Sequence, residues 1–339
     1  MTRNINIVDL SGYSFTGKSA VHDLISGWDG FYSHGKEFEF DLIRVQGGLI
    51  DLRQALTQKH WSPVRSCEAI RNFFRLVHHM GGERNVLSRL SRSGASYDHY
   101  FPGFSSLTNE FVSSLLEASW QCEWPFALYS RDKEYLTAIK LARKFGFSRE
   151  NTVYFARLSE AEFDTKSREY FERLFAPIAA KEFRWLVLNN AFEPFSPECS
   201  IEFFDHAKSI VVDRDPRDVY ISALQAGKIE GSKVGLAVTG GSVSNFIRRF
   251  RIYRSGVASI SPLVYRMQFE SLVLDYEFEV KRLRAFLGDA SVATSSQGGA
   301  FDPVNSARNV GQWKRLDNLC LLEDIAVIKS ELSEYCLDV

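Results

Sequence analysis

The sequence predicts an α/β fold in which helices flank a central, mostly parallel sheet. Three observations predict it. Short apolar strand patterns alternate with helical ones, the pattern of a parallel sheet covered on both faces. The run Lys208 to Asp213 (KSIVVD) is apolar enough for a fully buried strand, and Pro216 follows as a helix start. The composition is that of a globular chain, with 45% apolar and 24% charged residues. Disorder, collagen-like repeats and coiled coil are excluded.

The elements follow in order. Residues 4–10 (NINIVDL) read as a strand, then a Gly-bounded turn, then a helix from about Lys18 to Ile25. Residues 37–43 (EFEFDLI) alternate as a half-exposed strand, with Phe38, Phe40 and Leu42 inward and Glu37, Glu39 and Asp41 on the other face. From about 53 to 180 the pattern is mostly helical, broken near Pro63, Gly81, Pro102 and Pro125, with an amphipathic helix from Tyr135 to Phe145. Residues 151–156 and 184–188 read as short strands. Residues 227–241, rich in Gly, Lys and Ser, read as a loop. Asn245–Tyr253 reads as a helix, Leu263–Phe269 as a strand, Glu277–Leu287 as a helix ending at Gly288, and 290–305 as loop. One domain spanning 1–339, with a mostly helical insertion at about 50–180, is the expected organisation.

Charge narrows the partners. Lys+Arg is 41 and Asp+Glu is 42, so no general attraction to nucleic acid or a membrane surface is encoded, and any anion site is local. Five cysteines, far apart and odd in number, argue against a disulfide scaffold or a zinc ribbon. The start MTRNINIVDL is no secretory signal, and no run reaches the roughly 18 apolar residues of a membrane span. A cytoplasmic location is expected, with the oligomeric state open.

The most specific local motif is Gly12-Tyr13-Ser14-Phe15-Thr16-Gly17-Lys18-Ser19, which fits GxxxxGK[ST] between a strand and a helix. Its glycines let backbone N–H groups turn inward. The helix N-terminus and Lys18 add positive charge, so the loop suits a phosphate-type anion and implies a P-loop version of the fold. A second stretch runs Ile210-Val211-Val212-Asp213-Arg214-Asp215-Pro216-Arg217-Asp218-Val219-Tyr220-Ile221-Ser222. Arg214 stands at a strand's C-terminal tip, where open α/β sheets bind ligands. Asp215 suits an N-cap, and Ser222 lies about two turns into the helix, so Arg214 and Ser222 are placed to reach one phosphate group.

Here the chain resembles the sulfotransferases that use 3′-phosphoadenosine 5′-phosphosulfate (PAPS), in particular the bacterial-type carbohydrate sulfotransferases. Their second signature is an apolar strand, Arg-[Asp/Asn]-Pro-[Arg/Lys]-Asp, then Ser eight residues after the Arg, as in Arg214 to Ser222. Tyr265-Arg266-Met267-Gln268-Phe269-Glu270-Ser271-Leu272-Val273, with Phe286-Leu287-Gly288 after it, is similar to a third segment of that family. Asn305-Ser306-Ala307-Arg308-Asn309-Val310-Gly311-Gln312-Trp313-Lys314 is similar to its C-terminal GxWK loop. The four stretches keep the family's order, and nothing in about 45–205 matches; that region would shape the acceptor pocket. One departure stands out. The usual Lys or Arg two positions before the loop's second glycine is Phe15 here, and Lys18 follows Gly17 instead.

The resemblance implies transfer of a sulfonate group from PAPS to a hydroxyl of a glycan or other small acceptor by in-line displacement, leaving 3′,5′-adenosine bisphosphate (PAP), with no metal. It implies a cofactor site made of Ser14, Phe15, Thr16, Gly17, Lys18, Ser19 and Ala20, with Arg214, Ser222, Arg308, Gly311 and Trp313 toward the 3′-phosphate. Lys18 would offset charge on the bridging oxygen. In the carbohydrate-acting members a Glu about two dozen residues past the loop is the general base, which falls on Glu39 or Glu37; clustered carboxylates can raise one another's basicity. His34 and His99 are the other candidates, and His78-His79 has no partner at metal-ligand spacing. Arg248, Arg249, Arg251 and Arg254 form a basic helix face or meet an anion. Trp28, Trp61, Trp120 and Trp124 are core or sugar-stacking residues.

Two other readings stay open. The intact GxxxxGKS and the Walker-B-like Ile210-Val211-Val212-Asp213 also suit a P-loop kinase or nucleotide triphosphatase using ATP and Mg²⁺. Phe15 leaves room for a non-catalytic nucleotide-binding protein.

Overall fold

A computed structural model of the chain describes residues 5–82, 96–122, 126, 151–179, 181–229, 234–257, 261–288 and 301–338. The amphipathic stretch 135–145 and Trp124 lie outside them. In chain order the main elements are β1 (Asn6–Gly12), α1 (Lys18–Ile25), β2 (Phe31–Ser33), α2 (Leu49–Thr57), α3 (Pro63–Met80), α4 (Phe104–Leu115), β3 (Ala118–Cys122), β4 (Asn151–Phe155), α5 (Glu160–Ala179), β5 (Trp185–Asn189), β6 (Ala207–Asp213), α6 (Pro216–Ile229), α7 (Val234–Thr239), α8 (Val243–Ser255), β7 (Val264–Gln268), α9 (Phe269–Leu274), α10 (Tyr276–Leu287) and α11 (Leu319–Glu331). They form two compact units, one built on Asp41–Ala180 and the other on Asn4–Phe40 with Lys181–Val339.

The second unit holds a five-stranded, wholly parallel sheet in the order β2-β5-β1-β6-β7. Both faces are covered, so its central strands are largely apolar; β5 is buried at every residue and β6 at five of seven. One apolar cluster joins Val8, Leu10, Ile210 and Val212 to Val21 and Leu24 of α1 and to Leu283 and Leu287 of α10. Another joins Val219 and Ile221 of α6, Phe246 and Phe250 of α8, and Ile325 and Ile328 of α11. Gly12 pairs with Val212, and Asp213 pairs with Gln268. The register thus brings the C-terminal tips of β1, β6 and β7 level, and the segments after them leave the sheet side by side.

The first unit packs α2 to α5 around buried Leu52, Leu56, Phe73, Phe111 and Phe163, with the antiparallel pair β3-β4. Residues 151–156 therefore do form a strand, but outside the parallel sheet.

Three sequence expectations need correction. The alternation at 37–43 produces the expected burial of Phe38 and Phe40, yet no strand forms. The sheet position beside β5 belongs to the short β2. The 36–40 segment instead passes the tip of β5, held where Asn189 Nδ2 donates to Lys36 O (2.8 Å) and Phe40 N–H donates to Asn189 O (2.9 Å). Leu42 is buried in the first unit, where 41–44 form a turn. The loop expected at 227–241 is largely helical: α6 runs to Ile229 and α7 spans Val234–Thr239, because Val238 and Thr239 are buried. Among the described residues of this stretch, Gly240 and Gly241 leave the helix, both with positive φ. Within the stretch read as loop to 305, Pro303–Ser306 form a helical turn capped by Asp302.

Candidate functional site

The first loop leaves β1 at Gly12 and enters α1 at Lys18. Gly17 precedes the helix at φ 89°, a left-handed conformation, and a Cβ there would stand 2.8 Å from Phe269 Cγ. Ser14 (φ 73°) and Phe15 (φ 56°) are also left-handed, a costly arrangement for residues with side chains and one that recurs at ligand-binding loops. Ser14 and Ser19 are exposed, Ala20 is half-buried against the α1 core, and Thr16 is buried with its Oγ1 lacking a hydrogen-bond partner.

The second loop crosses over the first. Arg214 is 5% exposed. Its Nη1 donates to Phe15 O (3.0 Å) and to Ser222 Oγ (3.0 Å), and its Nη2 donates to Asn309 O. The guanidinium lies 5.2 Å from the Phe269 ring. One side chain thereby joins three of the sequence stretches and touches the fourth. Burial works against its charge; Asp218, Glu270 and Asp215 oppose that effect without overcoming it. Asp218 shows the matching imbalance, raised by burial with Arg214 4.0 Å away. Arg214 Nε and Trp313 Nε1 are buried donors without partners. Orphaned donors beside an under-neutralised arginine fit an anion.

The remaining signature residues serve as fasteners. Asp215 caps α6 by accepting Arg217 N–H (2.9 Å), and Pro216 fills the first helical position. Arg217 returns a two-pronged pair to Asp215 (2.9 and 2.6 Å), stacks 3.8 Å from the Trp313 ring and donates to Leu337 O (2.7 Å). Asp218 accepts Gly311 N–H (2.7 Å) and Trp313 N–H (3.3 Å), which docks the C-terminal loop on α6. Glu270 accepts Asp215 N–H (3.0 Å), and burial pushes its carboxyl up to about 7. Arg308 points outward. Asp213 is engaged by Arg254, Nε to Oδ2 at 2.9 Å and Nη2 to Oδ1, and it also accepts Arg214 N–H (2.8 Å).

The other catalytic candidates divide. Lys18 Nζ lies 3.3 Å from Glu39 Oε1, so the structure joins these two. Glu37 is exposed two residues earlier. His34 packs edge-on against Phe38 and Tyr32. His99 lies in the first unit against Tyr100, and His78 and His79 are exposed on α3. Of the basic run, Arg251 pairs with Glu331, Arg249 covers Tyr253, Arg248 is exposed and Arg254 is committed to Asp213. Trp28 is core, Trp61 donates to Ala156 O and Trp120 is half-exposed in the first unit.

Sequence reasoning missed two groups here. Asn190 Nδ2 donates to the same Glu39 Oε1 (2.5 Å). Asp9 is fully buried in β1, where its Oδ1 accepts Ala191 N–H (2.7 Å). Burial raises its carboxyl to about 7, while that N–H and the charge of Lys18 pull it down. An acidic residue inside an otherwise apolar strand was the available signal for Asp9.

No family model matches the chain, and no curated protein does. Solved structures similar to it include a sulfotransferase from Mycobacterium tuberculosis (13% identity over 98% of this chain and 78% of that one, TM-score 0.37). The sulfotransferase domain of the curacin biosynthetic pathway is another (13% identity, 98% of this chain and 99% of that one, TM-score 0.38). Retinol dehydratase, in complex with androsterone and the inactive cofactor PAP, is a third (10% identity, 100% of this chain and 84% of that one, TM-score 0.36). Likenesses this distant carry no functional argument, which rests on the residues.

Proposed function

We propose that the protein transfers a sulfonate group from PAPS to a hydroxyl of an acceptor, with a glycan or similar small molecule as the acceptor class and the cytoplasm as its location. The observation that carries this reading is the Arg214 knot. The strand-tip arginine, the helix serine, the first loop and the C-terminal loop meet at one guanidinium, in the combination expected for a 3′-phosphate site. A triphosphate site has no use for such a knot. The kinase reading also needs Asp213 for Mg²⁺, whereas both Asp213 oxygens face Arg254.

In this reading PAPS supplies the sulfonate on a phosphate leaving group. The N–H groups of Thr16 to Ser19 hold the 5′-phosphate at the start of α1, where the helix dipole favours negative charge, with Ser14, Phe15 and Ala20 beside it. Arg214 and Ser222 hold the 3′-phosphate, with Gly311 and Trp313 closing beside them and Arg308 at the rim. Lys18 offsets charge that develops on the bridging oxygen, taking the part that Phe15 cannot. Glu39, beside Lys18, takes the proton of the acceptor hydroxyl, and Glu37 is the fallback. No metal is required of these groups.

Calorimetric titration with PAP, set against ATP with Mg²⁺, tests the donor class. Tight, metal-independent binding of PAP that is lost in Arg214→Ala is expected. Preference for ATP with Mg²⁺ overturns the proposal in favour of phosphoryl transfer.

A further inference from the structure

The segment that carries Glu39 has no ladder to hold it, yet Glu39 faces Lys18. The residues at the tip of β5 account for this. Asn189 grips the segment on both sides of Glu39, through Lys36 O (2.8 Å) and Phe40 N–H (2.9 Å). Asn190 then turns into the left-handed region at φ 54°, which asparagine tolerates better than most residues. Its own N–H is tied to Leu10 O (2.9 Å), and the next N–H, of Ala191, is tied to Asp9 Oδ1 (2.7 Å). A backbone turn fastened twice to β1 aims the Asn190 carboxamide at Glu39 Oε1 (2.5 Å), the oxygen that also faces Lys18 Nζ (3.3 Å).

We propose that Asn190 is a positioning residue, which from an Asp9-anchored turn fixes the Glu39 carboxylate against Lys18 in the orientation that receives the acceptor proton. The inference rests on Glu39 being the base. An amide suits the task for a physical reason. A donor is needed against a carboxylate, a second cation beside Lys18 would compete for the sulfonate, and an aspartate would repel Glu39. The left-handed turn also explains why the residue is not a longer amide or a β-branched one.

Two readouts test it in the full-length protein. In ¹⁵N-labelled protein the Asn190 carboxamide signals, assigned by their loss in Asn190→Gly, are expected to move in Glu39→Gln. Unmoved signals overturn the contact. The second readout is release of PAP from PAPS, with water and a panel of glycans as acceptors. Glycine and aspartate both accept positive φ, so a merely structural Asn190 would treat Asn190→Gly and Asn190→Asp alike. The positioning role predicts a turnover loss of about tenfold or more for Asn190→Gly and a larger one for Asn190→Asp, with PAP affinity within about twofold of the parent. In the Glu39→Gln background, Asn190→Gly is expected to add less than about twofold, since the two act through one contact. Parent-like turnover in Glu39→Gln overturns the base assignment itself. Parent-like turnover in both Asn190 variants, with Glu39→Gln inactive, overturns the Asn190 role alone.

Discussion

The two ends of the candidate site are built by opposite means. Around Arg214 most hydrogen bonds use backbone groups: Phe15 O, Asn309 O, and the N–H groups of Gly311 and Trp313 on Asp218, beside one to Ser222 Oγ. Around Lys18 the contacts are between side chains, Lys18 to Glu39 to Asn190, and Glu39 is 41% exposed where Arg214 is 5%. The first end is buried and tied to three separate stretches of the chain. The second end pairs charged side chains at a half-exposed position. In the proposed function binding and chemistry are therefore separable, and each is expected to break while the other is kept.

The largest separation is expected at Lys18. Lys18→Ala removes the cation proposed for the leaving oxygen, and turnover of PAPS is expected to fall by about a thousandfold, the scale of removing a key electrostatic stabiliser. Lys18→Arg keeps charge and is expected to recover part of it. Parent-like turnover in Lys18→Ala would remove the first loop from the chemistry. Glu39→Gln comes next. General-base removal costs about 10²–10⁴-fold, and the loss is expected in kcat with PAP affinity unchanged, because Glu39 bonds Lys18 and Asn190 while Arg214 bonds Phe15, Ser222 and Asn309. If PAP affinity falls with it, the two ends are one unit and the contrast drawn above is wrong.

Arg214→Ala is the mirror experiment. Losing charge-assisted hydrogen bonds costs about 1–3 kcal/mol, or roughly 5- to 150-fold in PAP affinity by calorimetry. The C-terminal loop then loses its Asn309 O tie and keeps those to Asp218 and Arg217, so amide exchange in 309–313 is expected to quicken. Unchanged PAP affinity would sink the 3′-phosphate assignment, whatever Lys18 does.

The contrast also decides what the sequence discloses. The Arg214 end is encoded in contiguous runs, because a strand tip, an N-cap and a helix face succeed one another along the chain. Arg214, Asp215, Pro216 and Ser222 could be read in place. The Lys18 end is assembled from β1, α1, the 36–40 segment and the turn after β5. Period-two alternation at 37–43 reported burial correctly but could not report that β2 had already taken the sheet edge, so it suggested a strand. Asn190 carries no local pattern, since its role arises from a positive φ and a partner 151 residues away. Asp213 looked like a metal ligand for the same reason: its partner Arg254 is 41 residues distant.

The smallest expected effect concerns Asp9, which underlies the Lys18 end and is itself fully buried. Its carboxyl is raised from an ordinary 3.8 to about 7 by burial, so the folded state keeps a proton that the unfolded chain releases above about pH 4. Where the native state binds more protons than the unfolded one, stability falls as pH rises. The Asp9 contribution is thus full below about pH 4, declines between there and about pH 7, and is lost above it. Glu270, also raised to about 7, acts in the same direction. His22 acts oppositely, since burial lowers its pKa and the unfolded chain gains the extra proton below about 6.5. A single pH profile of the parent mixes these terms, and the difference between Asp9→Asn and the parent isolates one. Asparagine keeps an acceptor for Ala191 N–H and never ionises, so urea midpoints of the variant are expected to gain on the parent steadily from about pH 5 to pH 7.5. A difference that stays flat over that range would mean that Asp9 is ionised in the folded protein throughout, held so by Lys18. The turn under Asn190 would then be anchored by a buried ion pair that couples it to the sulfonate end.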